Sequence, residues 1–205
     1  MSVQTLASPT EYLAYDVAHE GKHEYWDGEI VAMAGAMDSH NSVVMNLTLT
    51  VGPLIIAQKC RPYGSDQRVR LPEGNYVYPD FSFACDPEFT DERPNSLLNP
   101  LLVVEVGSPS TMMTDRTKKL DAYTQIPSLR AYWLLESDYA VATLYERLGD
   151  SDSWTLSIVK GHAGSIDSTL FDQPISMDAL YLDVETKGDT WPNGYGVPGE
   201  TKGAR

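Results

Sequence analysis

LLVVEVGSPSTMMTDRTKKL, residues 101–120, decides how the rest of this chain is read. Leu101, Leu102, Val103, Val104 and Val106 form an apolar run bounded by Gly107 and Pro109. Such a run predicts a central strand covered on both faces. Glu105 sits inside it. An ionised carboxylate there costs several kcal/mol unless it is paired or bound to a cation.

The helix predicted over about 114–125 offers a partner. At roughly 100° per residue, Met112, Tyr123 and Ile126 fall within about 40° of Lys119. Lys119 therefore points with the apolar face toward the sheet, while Lys118 faces solvent. Tyr78-Pro79-Asp80 puts a second carboxylate, Asp80, at the start of the FSFAC strand. If Asp80 lies near Glu105, two carboxylates oppose one ammonium. A divalent cation resolves that excess, and hard oxygen donors favour Mg²⁺ or Mn²⁺. Two carboxylates and a backbone carbonyl, that of Val106, can hold a metal that activates water and neutralises charge developing on a phosphodiester. Lys119 then orients the water or stabilises the transition state.

Around this centre, YPD before an apolar strand, LLVVEVGSPST, DRTKKLDAY, IPSLRAYWLLE and VATLYERLG together resemble the Uma-type endonuclease family of cyanobacteria, within the PD-(D/E)XK nuclease superfamily. HEYWDGEIVAMAG and the following His40 resemble that family's opening, and the similarity spans roughly residues 8–160. The resemblance implies a restriction-endonuclease-like core and metal-dependent cleavage of nucleic acid, with DNA the expected partner. It puts the superfamily's two acids on Asp80 and Glu105. The superfamily's lysine normally follows the second acid by two residues, where this chain has Gly107. The family supplies it from the next helix, at the position of Lys119, the residue the helix wheel also selects. The family's E-x-x-DGE stretch matches Glu24 and Glu29, and Glu24 is a possible additional carboxylate of the site.

Composition bounds the rest. The chain has 205 residues, 42% hydrophobic and 21% charged, which predicts one domain over 1–185 and a mobile Gly/Pro-rich tail over 186–205. The fold class expected is α/β, or α+β, around a mixed sheet flanked by helices. A net charge of −14 argues against non-specific coating of nucleic acid. Residues 61–130 are the least acidic segment, with 8 basic and 10 acidic residues. No basic-then-apolar leader and no membrane-length apolar stretch is read, so no membrane partner is expected. Cys60 and Cys85 make no disulfide framework and read as plain core residues in a cytoplasmic protein.

Along the chain, SPTE (8–11) predicts a capped helix start, Asp27-Gly28 a type I′ hairpin turn, and 39–58 a helix that Gly52-Pro53 breaks or kinks. Strands follow around 67–71, 80–85, 130–136, 140–146 and 153–159, with Pro-Glu-Gly-Asn as a turn and 176–184 as a short helix.

Each candidate also has a purely structural reading. Glu105 could be ion-paired with Lys119 or Arg116 without catalysing anything. Glu24 could be a cross-strand carboxylate, and His40 a helix N-terminal residue after Asp38-Ser39. Arg68 and Arg70 read as a solvated strand face in preference to phosphate contacts. Trp26, Tyr132 and Trp133 read as packing residues. The alternatives to a nuclease are a nuclease-like fold kept as a non-catalytic binding or assembly module and, less favoured, a paired-carboxylate hydrolase. A homodimer is compatible with the strands at 130–146.

Overall fold

The computed structural model describes residues 7–33, 35–107 and 115–191. Helix α1 (Pro9–Ala18) opens as predicted: Ser8 Oγ accepts the Glu11 N–H, and the Glu11 carboxylate accepts the Ser8 N–H at 2.7 Å. Strands β1 (His23–Trp26) and β2 (Glu29–Ala32) follow as a hairpin. Its turn places Asp27 at φ 51° and Gly28 at φ 97°, the pair of positive values a type I′ turn requires. Helix α2 (Asp38–Ala57) runs unbroken through Pro53. Four side chains of α2, Val43, Leu47, Val51 and Ile55, are fully buried and hold it to the sheet across the proline, so packing overrides the local break. By length and composition α2 could also cross a membrane, which the sequence reading did not anticipate.

Short strands β3 (Arg61–Gly64), β4 (Val69–Arg70), β5 (Tyr76–Val77) and β6 (Phe81–Ala84) come next. They are followed by β7 (Leu102–Gly107), β8 (Ala131–Glu136), β9 (Val141–Arg147) and β10 (Trp154–Lys160). Between β7 and β8 lie a π-helical turn, Asp115–Lys119, and helix α3 (Leu120–Thr124). The chain closes with β11 (Ser165–Ile166), β12 (Ile175–Ser176) and helix α4 (Met177–Leu180).

The main sheet has the order β10-β9-β8-β7-β6-β3; β7 and β8 are parallel and the other pairs antiparallel. It is the mixed sheet expected. A second sheet, β2-β1-β5-β4, packs the N-terminal layer. Strand β7 is buried at every position. Leu102, Val104 and Val106 pack with α2, while Val103 packs on the other side with Tyr123, Ile126 and Tyr132. Burying each such side chain contributes about 1.5–3 kcal/mol. Alternation along the strand turns Glu105 toward the same side as Val103.

Three expectations are corrected here. Arg68 is not on a solvated face. It is buried, donates to Asp16 (3.0 Å), Ser96 Oγ (2.8 Å) and the Pro94 carbonyl (2.7 Å), and lies over the rings of Tyr12 and Tyr76. Arg70 is exposed, as expected. Cys60 and Cys85 are bonded to each other, because the register that pairs Arg61 with Ala84 brings the preceding and following residues face to face. The boundary drawn at 185 falls inside a docked segment: Lys187 is 2.7 Å from Asp138, and Trp191 Nε1 donates to Glu136 at 3.0 Å. The remainder of the expected tail, 192–205, lies outside the described residues, as does Met112.

Candidate functional site

Glu105 meets its partners on the far side of the sheet from α2. Its Oε1 accepts from Lys119 Nζ at 3.0 Å and from Tyr123 Oη at 2.8 Å. Lys119 Nζ is also 3.1 Å from Glu24 Oε1, so one ammonium bridges two carboxylates. Glu24 is held in turn by Trp26 Nε1 at 2.9 Å and by the Tyr78 N–H at 3.4 Å. Glu24, Glu105 and Lys119 are all buried. Burial first, and then the charge of Glu105, push the Tyr123 phenol well above its usual range, so it stays a proton donor to the carboxylate.

Asp80 stands immediately before β6. The register pairs Phe81 with Val104, and extending it by one places Asp80 opposite Glu105 on neighbouring strands about 5 Å apart. The Val106 N–H donates to Asp80 Oδ2 at 2.7 Å, which fixes the carboxylate against the strand that carries Glu105. At the start of α2, His40 Nε2 lies 3.2 Å from Asp80 Oδ1. Burial alone would lower the His40 pKa. The hydrogen bond and charge of Asp80 outweigh it, helped by Asn41 and the Val106 carbonyl, and raise it above 6.5.

These groups open into one cleft of about 620 Å³, lined by Glu24, His40, Asp80, Glu105, Val106 and Lys119 together with Lys22 and the apolar Met33 and Met37. Among the described residues, no three His, Cys, Asp or Glu side chains form a metal cage. The donors that do come together, two carboxylates and a strand carbonyl, are all oxygen and suit a hard divalent cation. Two buried carboxylates meet at Lys119, and a third, Asp80, shares their cleft, so a cation is electrostatically welcome there.

All four acid and lysine candidates, Asp80, Glu105, Lys119 and Glu24, therefore reach one place. Glu29, the other half of the E-x-x-DGE match, is exposed on β2, and Arg68 serves the N-terminal layer instead. Sequence reasoning treated Tyr123 as apolar surface; its position four residues after Lys119 was the available signal for a shared partner. It also gave His40 no link to Asp80.

The family model described as "Uma2: Putative restriction endonuclease" matches residues 9–177. The chain belongs to the Uma2 family. Two curated relatives of this Uma2 chain are uncharacterized proteins of Synechocystis sp. One is 35% identical over 147 residues, covering 71% of this chain and 76% of the relative. The other is 31% identical over 164 residues, covering 79% of this chain and 92% of the relative. Among solved structures, the Uma2 fold resembles a protein from Anabaena variabilis described as "a putative nuclease belonging to DUF820". That likeness has a TM-score of 0.67 at 16% identity and covers 85% of this chain and 97% of the other. The restriction-endonuclease-like fold expected from the sequence is thereby established.

Proposed function

We propose that this chain is a metal-dependent endonuclease that hydrolyses phosphodiester bonds in DNA. The carrying observation is that Asp80 and Glu105 are opposed by strand register in one cleft, with Lys119 bridging Glu105 to Glu24. Asp80, Glu105 and the Val106 carbonyl are the groups that would hold Mg²⁺ or Mn²⁺. When bound there, the cation supplies a polarised water and neutralises charge building on the phosphate. Lys119 is a fixed cation, immobilised by two carboxylates, that orients the water or faces the developing charge. Tyr123 keeps Glu105 in one orientation, the Val106 N–H does the same for Asp80, and the cleft limits the water that reaches them.

The test is nicking of supercoiled plasmid with Mg²⁺ or Mn²⁺, alongside calorimetric metal binding, for wild type, Asp80→Asn and Glu105→Gln. Wild type should bind metal and nick, and each variant should lose activity on the order of 10²-fold or more. The competing reading, a nuclease-like fold used for non-catalytic binding, is favoured by one observation: the Lys119 ammonium is already engaged by Glu24 and Glu105. A wild type that neither binds metal nor nicks would select it, whereas nicking unchanged in both variants would place the chemistry on other residues.

A further inference from the structure

Strand β10 is the outermost strand of the main sheet, seven residues reading WTLSIVK. Its ladder with β9 determines which backbone groups are used. The Leu148 N–H donates to the Ser153 carbonyl, and the Gly161 N–H to the Ala140 carbonyl, both at 2.8 Å. The same register pairs Trp154 with Arg147 and Lys160 with Val141. Residues 153 and 161 thus occupy hydrogen-bonded positions. The alternation of an antiparallel ladder then turns the N–H and C=O of Thr155, Ser157 and Val159 toward β9, and those of Trp154, Leu156 and Ile158 outward. Among the described residues, these three have no partner for the outward groups.

The other edge of the sheet is protected. Strand β3 is four residues long, contains Pro62, and ends at Gly64. Strand β10 has neither proline nor glycine, carries Lys160 as its single charge, and leaves Leu156 45% exposed. A strand of this kind is a template for another strand.

We propose that β10 pairs with β10 of a second copy of this chain, antiparallel about a two-fold axis at Ser157. Full overlap sets Leu156 opposite Ile158 and Trp154 opposite Lys160. Every one of these is an even-numbered position, so outward groups meet outward groups and the new ladder is in phase with the one to β9. Leu156 and Ile158 then join their apolar faces across the axis. At the ends of the ladder Lys160, which lies over Trp191 of its own chain, comes opposite Trp154, which stacks under Arg147. The chain's own residues 192–205 are a poorer occupant, since Pro192, Pro198 and four glycines disfavour a strand.

Sedimentation equilibrium on the full chain tests the proposal. Wild type should be a dimer. Leu156→Pro should be a monomer with near-wild-type melting, because the Leu156 N–H points away from β9 and proline leaves that ladder intact. Ser157→Cys should cross-link to a covalent dimer on mild oxidation, because the two copies of residue 157 face each other at a closely spaced pair. Thr155→Cys, opposite Val159, should not. A monomeric wild type, a dimer that survives Leu156→Pro, or cross-linking at 155 in place of 157 overturns the pairing. Dimerisation seen only after removal of residues 192–205 would assign the edge to the chain's own tail and overturn it too.

Discussion

Replacing Lys119 with methionine keeps an unbranched buried side chain, shorter by the terminal atom, and removes its charge. Two carboxylate contacts are lost, at 3.0 Å to Glu105 and 3.1 Å to Glu24. With an effective dielectric near 20, each is worth about 5 kcal/mol of Coulomb attraction, most of it offset by the desolvation of the ions. Removing one partner leaves the opposing charges buried, and the net loss expected is about 3–5 kcal/mol. For a chain of this size each kcal/mol lowers Tm by roughly 2–4 °C, so Tm should fall by roughly 6–20 °C. Circular dichroism melts of metal-free protein measure this directly, with urea titration giving the free energy. A double variant, Lys119→Met with Glu105→Gln, should recover more than about 1 kcal/mol relative to the sum of the single effects, because the charge left behind has been removed. A loss below about 1 kcal/mol for Lys119→Met, or strict additivity in the cycle, would refute the bridging role.

Tyr123→Phe removes one hydrogen bond to a buried carboxylate and should cost about 1.5–3 kcal/mol by urea titration. The same variant should weaken metal affinity 10–100-fold in calorimetry by loosening Glu105; unchanged affinity would deny it an orienting role. In metal-free protein the His40 ring, followed by NMR, should titrate above 6.5, and Asp80→Asn should bring it down. Because the folded value is the higher one, this contact stabilises the fold fully below the unfolded value and the contribution is lost as pH rises through the folded value. An unshifted ring in wild type would contradict it. The paired variant Cys60→Ser/Cys85→Ser should lose about 3 kcal/mol, as expected for a closed loop of this length, and dithiol reductant should do the same to wild type. Identical melts with and without reductant would show that the bond does not form.

What the sequence revealed and what it concealed follow from the range of the forces involved. Glu105 and Lys119 are legible because each breaks a strong local pattern, an acid in an apolar strand and a lysine on an apolar helix face. The wheel holds from Lys119 to Tyr123 because Lys119 is the N-cap of the α-helix Leu120–Thr124. Up to and including Lys119 the chain makes a π-helical turn, whose greater number of residues per turn no 100° wheel anticipates. Arg68 alternates like a surface strand residue, and only the tertiary placement of α1 and Asp16 buries it. The Cys60–Cys85 bond depends on the pairing of β3 with β6, which spacing alone does not disclose. His40 reaches Asp80 because the first turn of α2 lies beside the entry of β6, a meeting between elements that share no sequence pattern.

The opposition of Asp80 and Glu105 across the β6–β7 ladder ties the site to strand alignment. Successive side chains on a strand face opposite ways, so a slip of one residue would turn Glu105 toward α2 and away from Lys119 and Tyr123. Neither half of the carboxylate pair has any use before the sheet has closed correctly. A nascent or misaligned chain therefore carries no fragment of the site, and the cluster exists only once the sheet is correctly aligned.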